Sequence, residues 1–165
     1  MALLEVRVAG DPVLKKICAP VEKIDKRLRK LLDDMAETMY SKEGVGIAAP
    51  QVGESIRAVV VDVDGKNRYD MINPVIIHRE GSVVDNEGCL SCPNLFGDVE
   101  RAEKIRVEFI SRFGKKKTLE ADGLLARCVQ HELDHLEGQL FIDIAKNISK
   151  EKKNSGTRAQ TTPKT

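Results

Sequence analysis

The stretch DGLLARCVQHELDHLE, residues 122–137, decides the fold. Asp122 can serve as an N-cap for the run that follows it. At about 100° per residue, Leu124, Leu125, Cys128, Val129, Leu133 and Leu136 occupy most of a helix's circumference. Arg127, Gln130, Asp134 and Glu137 share one narrow polar stripe, read here as the outward face. A helix with so wide an apolar surface belongs in the middle of a domain. Inside it, His131-Glu132-Leu133-Asp134-His135 places two imidazoles at i and i+4. They lie roughly 40° apart on one face, so both reach a single cation. Glu132 projects about 60° from His135, beside the cation, where it can take a proton from water. His-Glu-x-x-His is an established zinc-site pattern with a glutamate base. Two imidazoles and a carboxylate on a buried face are costly unless something binds them.

A catalytic site of this kind needs a third protein ligand and an open position. Phe141 stands where one zinc peptidase class has its third His, and His78, at the end of a strand, has no motif around it and reads as a surface or structural residue. Glu137 and Asp143 are acids without a second helix to carry them back. The remaining source is a thiolate: Cys89 in Glu87-Gly88-Cys89-Leu90-Ser91, read as a short loop after Ser82-Val83-Val84.

The segment GVGIAAPQVG, residues 44–53, contains a G-x-G-x-x-A string, with Asp64 downstream. A dinucleotide fingerprint needs a strand before it and a helix opening from it. Here a helix precedes and Pro50 with a β-run follows, so the segment reads as a wall of the active site. Its backbone can approach a substrate closely, and Gln51 offers an amide free to donate.

Around these segments, residues 25–40 read as a helix: Leu28, Leu31, Leu32, Met35 and Met39 form one apolar stripe, Asp25 is the N-cap and Gly44 the exit. Residues 57–63 and 71–77 read as strands, with Asn73-Pro74 marking an edge or bulge. Residues 104–110 alternate and form a hairpin with a partner around 118–121. Two helices among several short strands give an α+β domain, its short antiparallel sheets packed around the central His-Glu-x-x-His helix.

The 165 residues suit one domain, expected over residues 1–146. Lys plus Arg number 27 against 26 for Asp plus Glu, which excludes nucleic-acid binding by bulk charge, so no direct DNA binding is expected. No apolar run reaches the ~20 residues of a membrane span. Glu5 and Arg7 fall where a signal peptide needs its apolar stretch, so the expected location is the cytoplasm. Four scattered cysteines, Cys18, Cys89, Cys92 and Cys128, read as thiols or metal ligands rather than a disulfide scaffold. Residues 147–165, with five basic residues against one acidic and almost nothing apolar, read as a disordered tail, solvated or in weak contact with RNA or a ribosome.

Three segments together, GVGIAAPQ (44–51), EGCLS (87–91) and QHELDH (130–135), resemble the signature motifs of the peptide deformylase family, in the family's order. GDPVL (10–14) and EADGL (120–124) resemble it too, so the resemblance spans roughly residues 7–144. It implies a hydrolase that removes the formyl group from N-formylmethionine of nascent peptides and releases formate. Cys89, His131 and His135 would hold one divalent cation, Fe(II) in the cell, with zinc, nickel or cobalt possible after isolation. A water would complete the tetrahedron and attack the formyl carbonyl, with Glu132 as base and then acid. Gln51 and the Leu90 peptide N–H would face the oxyanion, while Val45, Gly46 and Cys128 would help bind the methionine. A monomer with transient ribosome contact is the expected assembly.

The chain departs from the family's usual pattern at three places. Cys92 creates a C-x-x-C with Cys89, readable as a buried thiol replacing an apolar residue or as a disulfide partner whose oxidation would expel the metal. Arg127 stands where an apolar residue is frequent, and is expected to face out. The tail is too polar to promise a docking helix. Glu87 and Arg101 are expected to pair and brace the Cys89 loop, or to be unrelated surface charges. Two other functions remain open on residues alone: a zinc endopeptidase with a His, Glu or Asp ligand after His135, and a structural metal module closed by Cys92.

Overall fold

The computed structural model describes residues 2–150. A segment through a 3-10 turn at Pro12–Lys15 leads into helix α1, Lys26–Ser41. Strand β1, Gly46–Ala48, and a second 3-10 turn, Ala49–Val52, precede β2, Ala58–Val61, and β3, Tyr69–Glu80. Strands β4, Val83–Cys89, and β5, Cys92–Arg101, form a hairpin, and β6, Lys104–Ile110, and β7, Lys116–Asp122, form another. Helix α2, Gly123–Leu136, and a short strand β8, Lys146–Ser149, complete the described chain. Five strands form one antiparallel sheet in the order β1-β2-β3-β6-β7; β4-β5-β8 form a second.

The larger sheet is covered on both faces, which explains why β2 is β-branched without alternation. Val59 and Val61 point into the layer shared with Cys128, Val129 and Leu136 of α2; Ala58 and Val60 point into the layer shared with Leu32, Met35 and Met39 of α1. A third apolar cluster, with Leu14, Val99, Leu140 and Phe141, lies under the β4–β5 hairpin. The α+β arrangement expected from the sequence, antiparallel sheets around a central helix, is the one observed.

Local chemistry sets the ends of the helices. Asp25 accepts from the Leu28 N–H at 2.9 Å and starts α1. The exit residue differs from expectation: Glu43, at φ 58, takes the left-handed position, and the Gly44 N–H closes onto Met39 O. Asp122 occupies the α2 N-cap position without a side-chain cap bond. At the other end the Gln139 N–H reaches Asp134 O and the Gly138 N–H reaches His135 O, a Schellman closure. Gly138 sits at φ 74, where an added Cβ would lie 2.5 Å from Lys15 O, so both conformation and space require glycine. At the β3 bulge Asn73, at φ 51, exchanges two side-chain hydrogen bonds with Val21.

Two boundaries are corrected. The segment before Cys89 is not a loop but the long strand β4, and Cys89 ends it at a hairpin turn. Polar Asp85, Asn86 and Glu87 hide that strand from a propensity reading, because pairing with β5 rather than side-chain preference holds it. The expected start of the tail at residue 147 falls inside β8, which pairs with β5. Residues 151–165, the rest of the expected tail, lie outside the described residues.

Candidate metal centre

Two elements bring the donors together. Helix α2 supplies His131 and His135, whose ring centroids are 5.2 Å apart. The tip of the β4–β5 hairpin supplies Cys89, with its Sγ 3.4 Å from His135 Nε2. The three donor atoms lie within 4.8 Å of one another, all on buried residues, the single such cluster of metal-ligating groups among the described residues. Cys92 is outside that cluster; its thiol is buried in the apolar cluster with Leu14, Val99 and Phe141 and is hydrogen-bonded to the Cys89 thiol. Both cysteines are free.

The polar atoms in this cluster lack the partners that buried groups normally have. His131 Nε2, His135 Nδ1 and both Glu132 oxygens are buried without a hydrogen bond. Each such group costs on the order of 1–3 kcal/mol, more when charged. Burial pushes the Glu132 carboxyl well above the usual carboxylate range, with Arg101 opposing. Burial, aided by the charges of His131 and Arg101, pushes His135 well down toward the neutral imidazole that binds metals. Burial also pushes the Cys89 thiol up, with Cys92 and Glu132 adding to it. A divalent cation among the three donors would satisfy the orphaned nitrogen of His131 and favour the Cys89 thiolate, so the residues present fit a three-ligand metal site.

The shell behind the donors fixes their aim. His131 Nδ1 lies 2.9 Å from Glu87 Oε1, leaving Nε2 to face the cluster. Arg101 grips the Glu87 carboxylate through Nε and Nη2, at 2.7 and 2.9 Å, and reaches Asp134 with Nη1. Burial opposes the Glu87 charge, yet contacts with His131 and Arg101 hold the carboxyl well below its ordinary range. The Glu87–Arg101 brace is therefore real. Phe141 stacks on the His131 ring at 6.0 Å, so the residue standing at the peptidases' third-His position backs the imidazole.

The wall formed by residues 44–53 lies against this centre. A Cβ on Gly46 would sit 2.5 Å from Glu132 Oε2 and 2.6 Å from Cys128 Sγ, so only glycine lets this backbone pass the carboxylate. Cys128 Sγ donates to Val45 O at 3.5 Å. The chain after Ala48 forms a 3-10 turn and no α-helix, so there is no dinucleotide fold. Leu90 follows Cys89 in the turn and is buried. The Gln51 amide is not free, contrary to expectation. Its Oε1 accepts from the Ala48 N–H at 2.8 Å, and its Nε2 donates to Ser91 Oγ at 3.1 Å and faces Cys89 Sγ at 3.6 Å. A fully buried amide has to be partnered, and this one is locked pointing at the sulfur.

Arg127 is the clearest correction. It does not face solvent: it is buried and donates to Glu87, Val99 O and Val83 O. Gln130 is buried as well, paired with Ala102. Arg127 and Gln130 of the polar stripe meet the β4–β5 hairpin and the Ala102 backbone after it instead of water, because these offer a carboxylate and backbone carbonyls, while Glu137 stays exposed. Sequence reading also missed Ser91 and Asp134 as partners of Gln51 and Arg101. His78 is half-exposed beside Glu80, a surface residue as expected.

A His-Glu-x-x-His helix meeting a cysteine on a hairpin, with a carboxyl beside the three donors, defines a metal-dependent hydrolase. A family model described as Polypeptide deformylase matches residues 3–151. A peptide deformylase of Desulfitobacterium hafniense is 50% identical over 150 residues, covering 91% of this chain and 99% of the relative. The crystal structure of peptide deformylase from Thermotoga maritima superposes with a TM-score of 0.85 at 45% identity, covering 87% of this chain and 98% of that one. A peptide deformylase from Synechococcus elongatus, solved in complex with actinonin, gives 0.85 at 43% identity, over 87% of this chain and 79% of that one. The chain belongs to the polypeptide deformylase family, metal-dependent enzymes that hydrolyse the N-formyl group of nascent peptides.

Proposed function

We propose that deformylation is carried in this chain by Cys89, His131 and His135 as metal ligands and Glu132 as general base and then acid. The supporting observation is the convergence of the three donor atoms beside a buried, unpartnered carboxyl. A divalent cation bound there supplies a Lewis acid that lowers the pKa of water and polarises a carbonyl oxygen. Glu132 takes the proton of the attacking water and returns it to the departing amine, a contribution of about 10²–10⁴ in rate. Gln51 Nε2, held by Ala48, and the Leu90 N–H stabilise the negative charge that develops on the formyl oxygen. To do so, Gln51 exchanges its bond to Ser91 for one to the substrate, and such a donor contributes ~2.7–4 kcal/mol. Val45, Gly46 and Cys128 line the approach for the formylmethionine. Glu87, gripped by Arg101, keeps His131 in the tautomer that leaves Nε2 for the metal.

Fe(II) is the proposed native metal, with zinc, nickel or cobalt able to occupy a Cys-His₂ site. The proposed setting is the cytoplasm, with a monomeric enzyme that visits the ribosome transiently and binds neither DNA nor membrane. No helix among the described residues is long and apolar enough to cross a membrane. The catalytic domain is proposed to run through β8, Lys146–Ser149, with the basic segment after it as a tail. The test is formate release from formyl-Met-Ala-Ser alongside cleavage of unformylated peptides. Formate without peptide cleavage is the expected result; cleavage of the unformylated peptide would favour an endopeptidase.

A further inference from the structure

The cation's ligands come from two elements that are not fused by backbone packing. Helix α2 packs closely on β1, β2 and β7, but far less on the β4–β5 hairpin that carries Cys89. Something else must set the distance between the helix bearing the imidazoles and the hairpin bearing the sulfur. Arg127 is placed to do it. It lies one turn before His131 on the same face of α2, and both residues reach the same carboxylate: His131 at Glu87 Oε1, Arg127 at Glu87 Oε2. Arg127 Nη1 also donates to Val99 O of β5 at 2.9 Å, and Nη2 to Val83 O of β4 at 2.8 Å. One guanidinium thus ties the helix to both strands of the hairpin and to the carboxylate that aims a ligand.

We propose that Arg127 is a positioning residue for the metal centre: its guanidinium sets the helix-to-hairpin spacing at which Cys89, His131 and His135 share one cation, and holds Glu87 turned toward His131. This rests on the proposed ligand set. The planar fork matters more than the charge. Arginine serves a carboxylate and two carbonyls at once, whereas a lysine head on a shorter reach serves fewer. The apolar side chain that an outward-facing reading of this position would tolerate serves none.

The test uses R127M and R127K beside the unaltered protein, each loaded with Co(II). Three quantities are read: metal affinity by competition with a chromogenic chelator, the sulfur-to-cobalt absorption band, and KM separately from kcat with formyl-Met-Ala-Ser. R127M is expected to bind metal 10- to 100-fold more weakly, with an altered sulfur band and an unchanged KM, and R127K to recover part of the affinity. Metal affinity of folded R127M within twofold of the unaltered protein would overturn the proposal, as would a loss confined to KM. Should R127M not fold, R127K combined with E87Q decides: losses of affinity that do not add support action through Glu87, and additive losses overturn it. A sulfur band absent from the unaltered protein itself would instead overturn the ligand set, which keeps the two failures distinguishable.

Discussion

Two helix interfaces, an outer layer of α1 on the five-stranded sheet and an inner layer of α2 on the β4–β5 hairpin, are built by opposite rules. The outer layer, between α1 and the sheet, is almost wholly apolar: Leu32, Met35 and Met39 are fully buried against Val60 and Ile72. Each such side chain contributes roughly 1.5–3 kcal/mol by leaving water. The inner layer, where α2 meets the β4–β5 hairpin, buries Glu87, Arg101, Arg127, Gln130, His131, Glu132 and His135. Buried ion pairs of this kind are weak contributors to stability, because desolvation offsets their attraction. The apolar layers on both faces of the sheet, α1 on one and α2 on the other, therefore hold the fold, and the inner layer against the hairpin holds a geometry. Stability and catalysis should be separable by substitution.

The largest expected effect breaks catalysis alone. E132A should reduce formate release by at least about 10²–10⁴ while the metal content per chain stays the same. Retention of most activity would remove Glu132 from its role. In the outer layer the pattern should invert: L32A should cost about 2–5 kcal/mol in denaturant unfolding, yet leave kcat/KM per folded molecule unchanged. A selective loss of activity at matched folding would show that the layers are coupled. Removing the metal by chelation should lower stability by about 2.7 kcal/mol when the metal had been at a hundred times its dissociation constant. That loss should be absent in C89A, which has no complete ligand set to empty.

The smallest expected effect belongs to a polar strap on the outer side. Asp33 of α1 is held by Arg112 and Arg68, which also grip Asp70 of β3. The hydrogen bond from Arg112 is the largest effect; burial opposes it, and the further bond from Arg68 with the charges of both arginines brings the carboxyl down from 3.8 to about 2. A carboxyl with a depressed folded pKa stabilises above its ordinary value, and that stability is lost as pH falls through about 2. With its partial exposure discounted, D33N should cost about 1 kcal/mol at pH 7, a small fraction of that at pH 2 and nothing well below it. A cost that persisted in full at pH 2 would place the effect in packing rather than charge.

The outer layer was also the more legible. The 3.6-residue stripe of α1 and its Asp25 cap read directly from residue spacing, because burial there follows hydrophobicity. The same logic failed at the inner layer. Arg127 and Gln130 read as a wet stripe, since spacing reports polarity but not what the polar face meets. Strand β4 was hidden because Asp85, Asn86 and Glu87 are poor strand formers held by their pairing with β5. Gln51 was expected to be free, and only the fold reveals Ser91 within its reach. The His131–Glu132–His135 spacing was legible because the helix repeat alone brings its groups together. Its convergence with Cys89 depends on a hairpin and two arginines that no local pattern announces. The i, i+4 relation of Arg127 to His131 was the available signal, and the Glu87–Arg101 pairing its context.

X-ray absorption at the metal edge of the anaerobically purified protein tests the central claim most directly. One sulfur at about 2.3 Å and two imidazole nitrogens at about 2.0–2.1 Å, scaled from zinc, with a remaining light-atom position, is the expected ligand shell. A shell without sulfur would contradict the account by excluding Cys89, and a shell with two sulfurs would contradict it by closing the open corner with Cys92.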